Sequence, residues 1–182
     1  RKFVHILTAT FAGTWGYFLP WQYIVAIAVA MIIAVVAAKK LSILKAVFSV
    51  NRPTYGELSF ALAIAVCAIL FRDNPDIYLF ALVQLAWADG LAALVGKAVK
   101  SKKFKIFGSN KSVAGTIACF AFVFVSTLIF EHIVDIDATT AYLLGGALAM
   151  ACVITVLELA GKQGLDNLLI PIIAGLGFAT LL

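Results

Sequence analysis

The sequence predicts an all-α fold, a polytopic bundle of transmembrane helices, and three observations carry that prediction. Of the 182 residues 64% are apolar and only 13% charged, with a mean hydropathy of +1.08, which is too apolar for a soluble domain. Cutting the chain at its charged and Pro/Gly clusters leaves seven apolar runs, most of them near the ~20 residues that cross ~30 Å of hydrocarbon. Lysine and arginine gather on alternate connections between those runs, as they do on cytoplasmic loops.

The runs cover 3–19, 21–38, 57–71, 77–99, 112–130, 138–159 and 168–182, so about seven spans are expected, the shortest tilted into neighbours or spanning in part. Residues 39–53 set Leu41, Leu44, Ala46, Val47 and Phe48 among basic residues, the pattern of a short interfacial helix on lipid headgroups. One integral-membrane domain over 1–182 is expected. The chain opens on Arg1 and not on Met, which leaves room for a preceding span. No cleavable signal peptide is evident, because the first apolar run leads straight into the second.

Cys67, Cys119 and Cys152 all fall inside apolar runs without CxxC or Cys/His spacing, so three buried free thiols are expected, with neither a disulfide framework nor a zinc site. The net charge of +5 does not point to nucleic acid in so apolar a chain; basic loops here mark a cytoplasmic face or bind anionic headgroups and phosphates. If the seven runs alternate sides, thirteen of the fourteen basic residues fall together and only Arg72 lies opposite. The face opposite also takes Asp73, Asp76, Glu131, Asp135 and Asp137. The remaining acids, Glu57, Asp89, Glu158 and Asp166, lie in or near the basic half with His5, Asn51, Thr54, Asn110, Ser112 and Asn167. A multi-pass protein with a cytoplasmic site for a water-soluble substrate would have this distribution.

The chemistry concentrates between Ala88 and Thr116. Asp89 stands eight residues before Lys97, about 12 Å along a helix and below the cytoplasmic surface. An ionised carboxylate at that depth costs several kcal/mol unless it holds a metal or is neutralised by a Lys or Arg from a neighbouring helix. Gly90 beside it allows a break or a close helix approach. Six lysines follow, of which Lys97 to Lys105 read mainly as a topology signal. The segment from Gly108 to Gly115 places Asn110, Lys111 and Ser112 where the fifth run opens, with Ser112 as N-cap. Unpaired amides, the positive dipole end and the Lys111 charge would make that helix start an anion site. It is not a Walker A loop, since Asn110 replaces the Gly before Lys-Ser. A capped helix with a snorkelling lysine is the alternative. Arg52 and Glu57 flank the start of the third run, either as an ion pair or as site residues. Asp166 and Asn167 open the last run, where Asp166 is a site acid or an N-cap. His5 would share a helix face with Arg1.

Taken in order, Arg1-Lys2-x-x-His5, Thr54-Tyr55-Gly56-Glu57, Ala88-Asp89-Gly90 through Gly96-Lys97, Asn110-Lys111-Ser112-x-x-Gly115-Thr116, and Glu158 followed by Gly164-Leu165-Asp166-Asn167 and Pro171 resemble the integral-membrane lipid-alcohol kinases. That family comprises phytol kinase, dolichol kinase and the CTP-dependent diacylglycerol kinases. The central part is also similar to phosphatidate cytidylyltransferase, which makes CDP-diacylglycerol. The resemblance implies a helix bundle that uses CTP and Mg²⁺ to phosphorylate the hydroxyl of a membrane lipid alcohol: a polyprenol or dolichol, phytol, or diacylglycerol. Carried over by position, Asp89 would bind the metal, and Lys97, Asn110, Lys111, Ser112 and Gly115 would surround the triphosphate. Asp166 and Glu57 would supply a second metal ligand or a base that orients the hydroxyl, with Arg1, His5, Arg52, Glu158 and Asn167 as further candidates. Many relatives carry an acid where this chain has Ala114, so no acid is assigned there. An ion-coupled transporter is the reading from another class, but no internal repeat is visible and the charge lies on one face. Neither the lipid alcohol nor the oligomeric state has a readable signal.

Overall fold

The computed structural model describes residues 2–40, 55–106, 108–162 and 164–182. Arg1 and Arg52 lie outside the described residues, as does the segment expected as an interfacial helix beyond Lys40. Among the described residues seven α-helices occupy the seven apolar runs: α1 (Lys2–Thr14), α2 (Trp21–Lys40), α3 (Gly56–Leu70), α4 (Pro75–Ala98), α5 (Val113–Ile133), α6 (Thr140–Ala160) and α7 (Asp166–Ala179). Four of them, α2, α4, α5 and α6, are long and apolar enough to cross a membrane. The other three are shorter: α1 has 13 residues, α3 15 and α7 14. The first run, expected to reach residue 19, leaves the α-helix at Thr14 for a single 3₁₀ turn at Trp15–Tyr17, with Pro20 just beyond.

Local chemistry sets the helix starts. Asn74 caps α4, its side chain accepting from the amides of Asp76 and Ile77 at 3.1 and 3.2 Å, with Pro75 in the first turn, where a missing N–H costs nothing. Thr139 caps α6 through the amide of Tyr142. At the end opposite the lysine loop, Tyr17 donates to Asp76; burial, then the carboxylate beside it, pushes the phenol up to about 12, so it remains a donor.

Helix α4 is the axis of the bundle, packed against α1, α5 and α7, while α2 lies outermost against α3. Its buried face carries Phe80, which stacks on Phe178 of α7 at 4.3 Å and meets Phe130 of α5 edge-on at 5.1 Å. Two polar side chains of α4 find partners across helices. Gln84 donates to Ser126 at 2.9 Å and Trp87 donates to Thr10 at 3.0 Å, tying α4 to α5 and to α1.

Three expectations are corrected. The fold is mostly helical but not all-α: in the lysine-rich stretch β1 (Lys103–Ile106) and β2 (Ser109–Ser112) form an antiparallel hairpin that pairs Lys103 with Ser112 and Lys105 with Asn110. Cys67 and Cys119 are buried, but Cys152 is exposed on the outer side of α6. Glu131 belongs to α5 and not to a loop. It is only 2% exposed, and its carboxylate oxygens have no hydrogen-bond partner among the described residues.

Candidate active site

One face of α4 presents Asp89, Ala92, Ala93 and Gly96, residues three, four and seven apart that a helix stacks in a line. Against that line pack the hairpin, the start of α5 and the end of α6, enclosing a cavity of about 440 Å³. Lys97, Lys103, Asn110, Lys111, Ser112, Gly115 and Glu158 share its wall with Asp89. The sequence candidates from the central stretch thus meet in one place, joined by Lys103, from a run that reads mainly as a topology signal.

The close approach of α4 and α5 depends on Gly115. A Cβ there would meet the carbonyl oxygen of Ala92 and sit 3.0 Å from Ser112 Oγ. Gly115 therefore serves to bring two backbones together at the cavity wall.

The start of α5 differs from expectation. Ser112 is the N-cap and accepts from the Gly115 amide at 3.2 Å, but the amide of Val113 donates to the carbonyl of Lys102 at 3.0 Å and that of Ala114 to Ser101 Oγ at 3.2 Å. Three first-turn donors are therefore satisfied within the protein, and the expected anion site of free amides is not formed. The dipole remains, but any anion recognition here would rest on side-chain charge. Ser101 was missed by the sequence reading, because its role appears only once the hairpin folds back on the helix start.

Each buried acid of the cavity has a lysine. Lys111 donates to the carboxylate of Glu158 and to its backbone carbonyl, both at 2.6 Å, fastening β2 to the last turns of α6. Asp89, 7% exposed, pairs with Lys2 from the first turn of α1. The sequence left a neighbouring lysine open as the partner of Asp89 but did not single out Lys2. Its signals were its place at the basic end and in the Arg1-Lys2-x-x-His5 motif, neither of which names Asp89 as its partner.

The outer candidates form a second layer. Asp166 is the first residue of α7 and not its N-cap, which is Leu165. Asp166 lies within electrostatic range of Asp89, Lys2 and Lys111. Asn167 donates to the carbonyl of Gly56 at 3.1 Å, while Gly164, at φ +91°, brings its Cα against the backbone of Gly56. These contacts lock the α6–α7 turn onto the start of α3, and Glu57 follows in its first turn without lining the cavity. His5 packs its ring on Phe60 at 5.0 Å, its Nε2 is buried with no partner among the described residues, and it senses Asp89, Lys2 and Asp166. Among the described residues no three His, Cys, Asp or Glu side chains cluster at metal-holding distance. Any cation here would rest on one or two carboxylates, as Mg²⁺ does when phosphates complete its shell: Asp89 lines the cavity, while Asp166 does not and lies only within electrostatic range of it.

No protein-family model and no solved structure matches the chain. A curated relative is the phytol kinase of Synechocystis sp., 32% identical over 176 residues that cover 94% of this chain and 74% of the relative. Identity at that level over nearly the whole chain, together with four helices apolar enough to cross a bilayer, makes this a membrane protein of that lineage. The chain belongs to the lipid-alcohol kinase family that includes phytol kinase.

Proposed function

We propose that this chain is a single-domain, multi-pass membrane enzyme that transfers the γ-phosphoryl group of CTP to the hydroxyl of an isoprenoid alcohol. Phytol is the acceptor named for the relative and the first to test here. The observation that carries the proposal is the cavity itself, where Lys97, Lys103 and Lys111 line about 440 Å³ together with the buried Asp89. That volume falls within the ~300–1,000 Å³ usual for small-molecule sites. Thirteen of the fourteen basic residues fall on its side of the bundle if the runs alternate, which supports a cytoplasmic opening.

Phosphoryl transfer asks a protein for positioning and charge neutralisation more than for covalent help. The lysines would hold the phosphate chain, with Asn110 and Ser112 adding hydrogen bonds. Asp89, assisted by Asp166, would hold Mg²⁺, which supplies further neutralisation of the phosphate oxygens. The acceptor hydroxyl would arrive from the bilayer side while the nucleotide enters from the cytosol. Its oxygen attacks the γ-phosphorus, the bond from that phosphorus to the β–γ bridging oxygen breaks, and CDP leaves. The hydroxyl proton passes to a carboxylate, for which Asp166, within electrostatic range of Asp89, is the candidate, and Glu57 lies off the cavity wall.

Purified protein given CTP labelled at the α or the γ position tests this, with phytol, a polyprenol or diacylglycerol as acceptor and phosphatidate as competitor. Label should reach the lipid from γ-CTP with release of CDP, phytol being the best acceptor. Label entering only from α-CTP with phosphatidate, and pyrophosphate leaving, would make the chain a cytidylyltransferase instead. No transfer from either would return the transporter reading.

A further inference from the structure

The two lysine–acid pairs at the cavity are built differently. Lys111 is held by two bonds of 2.6 Å, one of them to a backbone carbonyl, and its side chain is only 17% exposed. Lys2 meets Asp89 through one carboxylate oxygen, and its side chain is 40% exposed while that of Asp89 is 11% exposed. The acid is fixed in the wall of α4. Its counter-ion stands at the rim on a flexible four-carbon stem. The backbone beneath Lys2 is held, since α1 packs along α4 and Thr10 accepts from Trp87. Only the ammonium is free to move, by the few Å that such a stem allows.

An ammonium and a divalent cation compete for the same carboxylate oxygen. A metal arriving at Asp89 with a triphosphate therefore displaces a full positive charge, and it does so beside the phosphates. We propose that Lys2 is an exchangeable counter-ion that neutralises Asp89 in the resting site, yields the carboxylate to the incoming metal, and turns its ammonium onto the transferring phosphoryl group. The proposal rests on the reading of Asp89 as the metal-binding acid. The exchange keeps the buried acid neutralised before and after loading, which avoids the several kcal/mol that a lone intramembrane carboxylate costs. It also places a mobile cation where charge spreads over the phosphoryl oxygens in the transition state. Lys111, tied at both ends, is the fixed cation of the pair and Lys2 the mobile one.

The test is Mn²⁺ binding to the purified full chain, followed by electron paramagnetic resonance with no nucleotide present, in wild type, Lys2→Met, Lys2→Arg and Asp89→Asn. Removal of the competing ammonium should tighten Mn²⁺ binding in Lys2→Met by roughly threefold to tenfold, the range for an ion pair partly open to solvent. The same variant should lose about tenfold or more in kcat at saturating metal and nucleotide, because the mobile charge is gone. Lys2→Arg keeps the charge and should bind Mn²⁺ no tighter than wild type, a check that does not depend on how well Lys2→Met folds. Wild-type Mn²⁺ affinity in Lys2→Met, with binding lost in Asp89→Asn, would overturn the exchange and leave Asp89 as the metal acid. Unchanged binding in Asp89→Asn would overturn both. Tighter Mn²⁺ with full kcat in Lys2→Met would overturn the phosphoryl contact, as would tighter Mn²⁺ in Lys2→Arg the competition.

Discussion

Replacing Lys111 by methionine tests whether the hairpin is fastened to α6 by charge. In the native protein its ammonium sits 2.6 Å from both the carboxylate and the carbonyl of Glu158, with the side chains 17% and 5% exposed. Lys111→Met leaves Glu158 buried without its cation, and breaking a buried pair from one side costs about 3–5 kcal/mol. The residual exposure of Lys111 argues for the lower end, about 3 kcal/mol, which lowers Tm by roughly 6–12 °C in a protein of this size. Glu158→Leu alone should cost less, since a lysine on a flexible stem can reach water. The double variant Lys111→Met/Glu158→Leu removes the stranded carboxylate and should recover most of the loss, a coupling that additive effects cannot produce. Its phosphoryl transfer should stay low, because the cavity has lost a cation. Thermal unfolding in detergent, read by tryptophan fluorescence, gives the stabilities, and label transfer from γ-CTP gives the activity. A Tm for Lys111→Met within a degree of wild type, or a double variant as unstable as the sum of the singles, would refute the anchor.

Further outcomes follow from the close packing and the charge distribution. Gly115→Ala should cost about 1–3 kcal/mol, because the new methyl meets a backbone carbonyl that cannot move aside. Gly145→Ala, with nothing within 4 Å, should instead gain up to ~1 kcal/mol of helix propensity, and equal Tm values for the two variants would contradict the packing. Gly164→Ala puts a side chain at φ +91° and against Gly56, so it should lower Tm by more than Asn167→Ala, which removes one hydrogen bond worth about 1 kcal/mol. Lys102→Cys should escape an impermeant thiol reagent in intact cells and react after permeabilisation; labelling from outside would reverse the proposed topology.

Hydropathy alone located the seven helices, since each apolar run became one, and the lysine-rich stretch was legible as the place where polar chemistry collects. Asp89, Lys97, Asn110, Lys111, Ser112, Gly115 and Glu158 do line one cavity. The partners were not legible, for a physical reason: Lys2 and Asp89 are 87 residues apart, and Lys111 and Glu158 are 47 apart. Neither pair shares a helix face, so no periodicity records it. The hairpin escaped because its strands are only four residues each, and one of them is half lysine. Missing the hairpin had a consequence at α5, since Ser101 and the Lys102 carbonyl can take the first amides only when the chain turns back. Glu131 was assigned to a loop by its charge, but α5 runs on to Ile133 and carries it inside.

The loss of the free amides changes what kind of anion site this would be. A P-loop grips phosphate with backbone donors fixed in place. Here the helix start is capped from within, so on the proposed function phosphate recognition would rest on lysine ammonium groups and on the fixed dipole behind them. No aromatic side chain is among the described residues that line the cavity. Base discrimination, on the proposed CTP donor, would then fall to hydrogen-bonding groups such as Asn110 and Ser109, both on β2. The hairpin would thus join two tasks, since Lys111 on the same strand anchors it to α6 while its neighbours read the nucleotide. Loosening the Lys111 anchor would disturb base selection together with phosphate affinity, an effect that Lys97, rooted on α4, would not share.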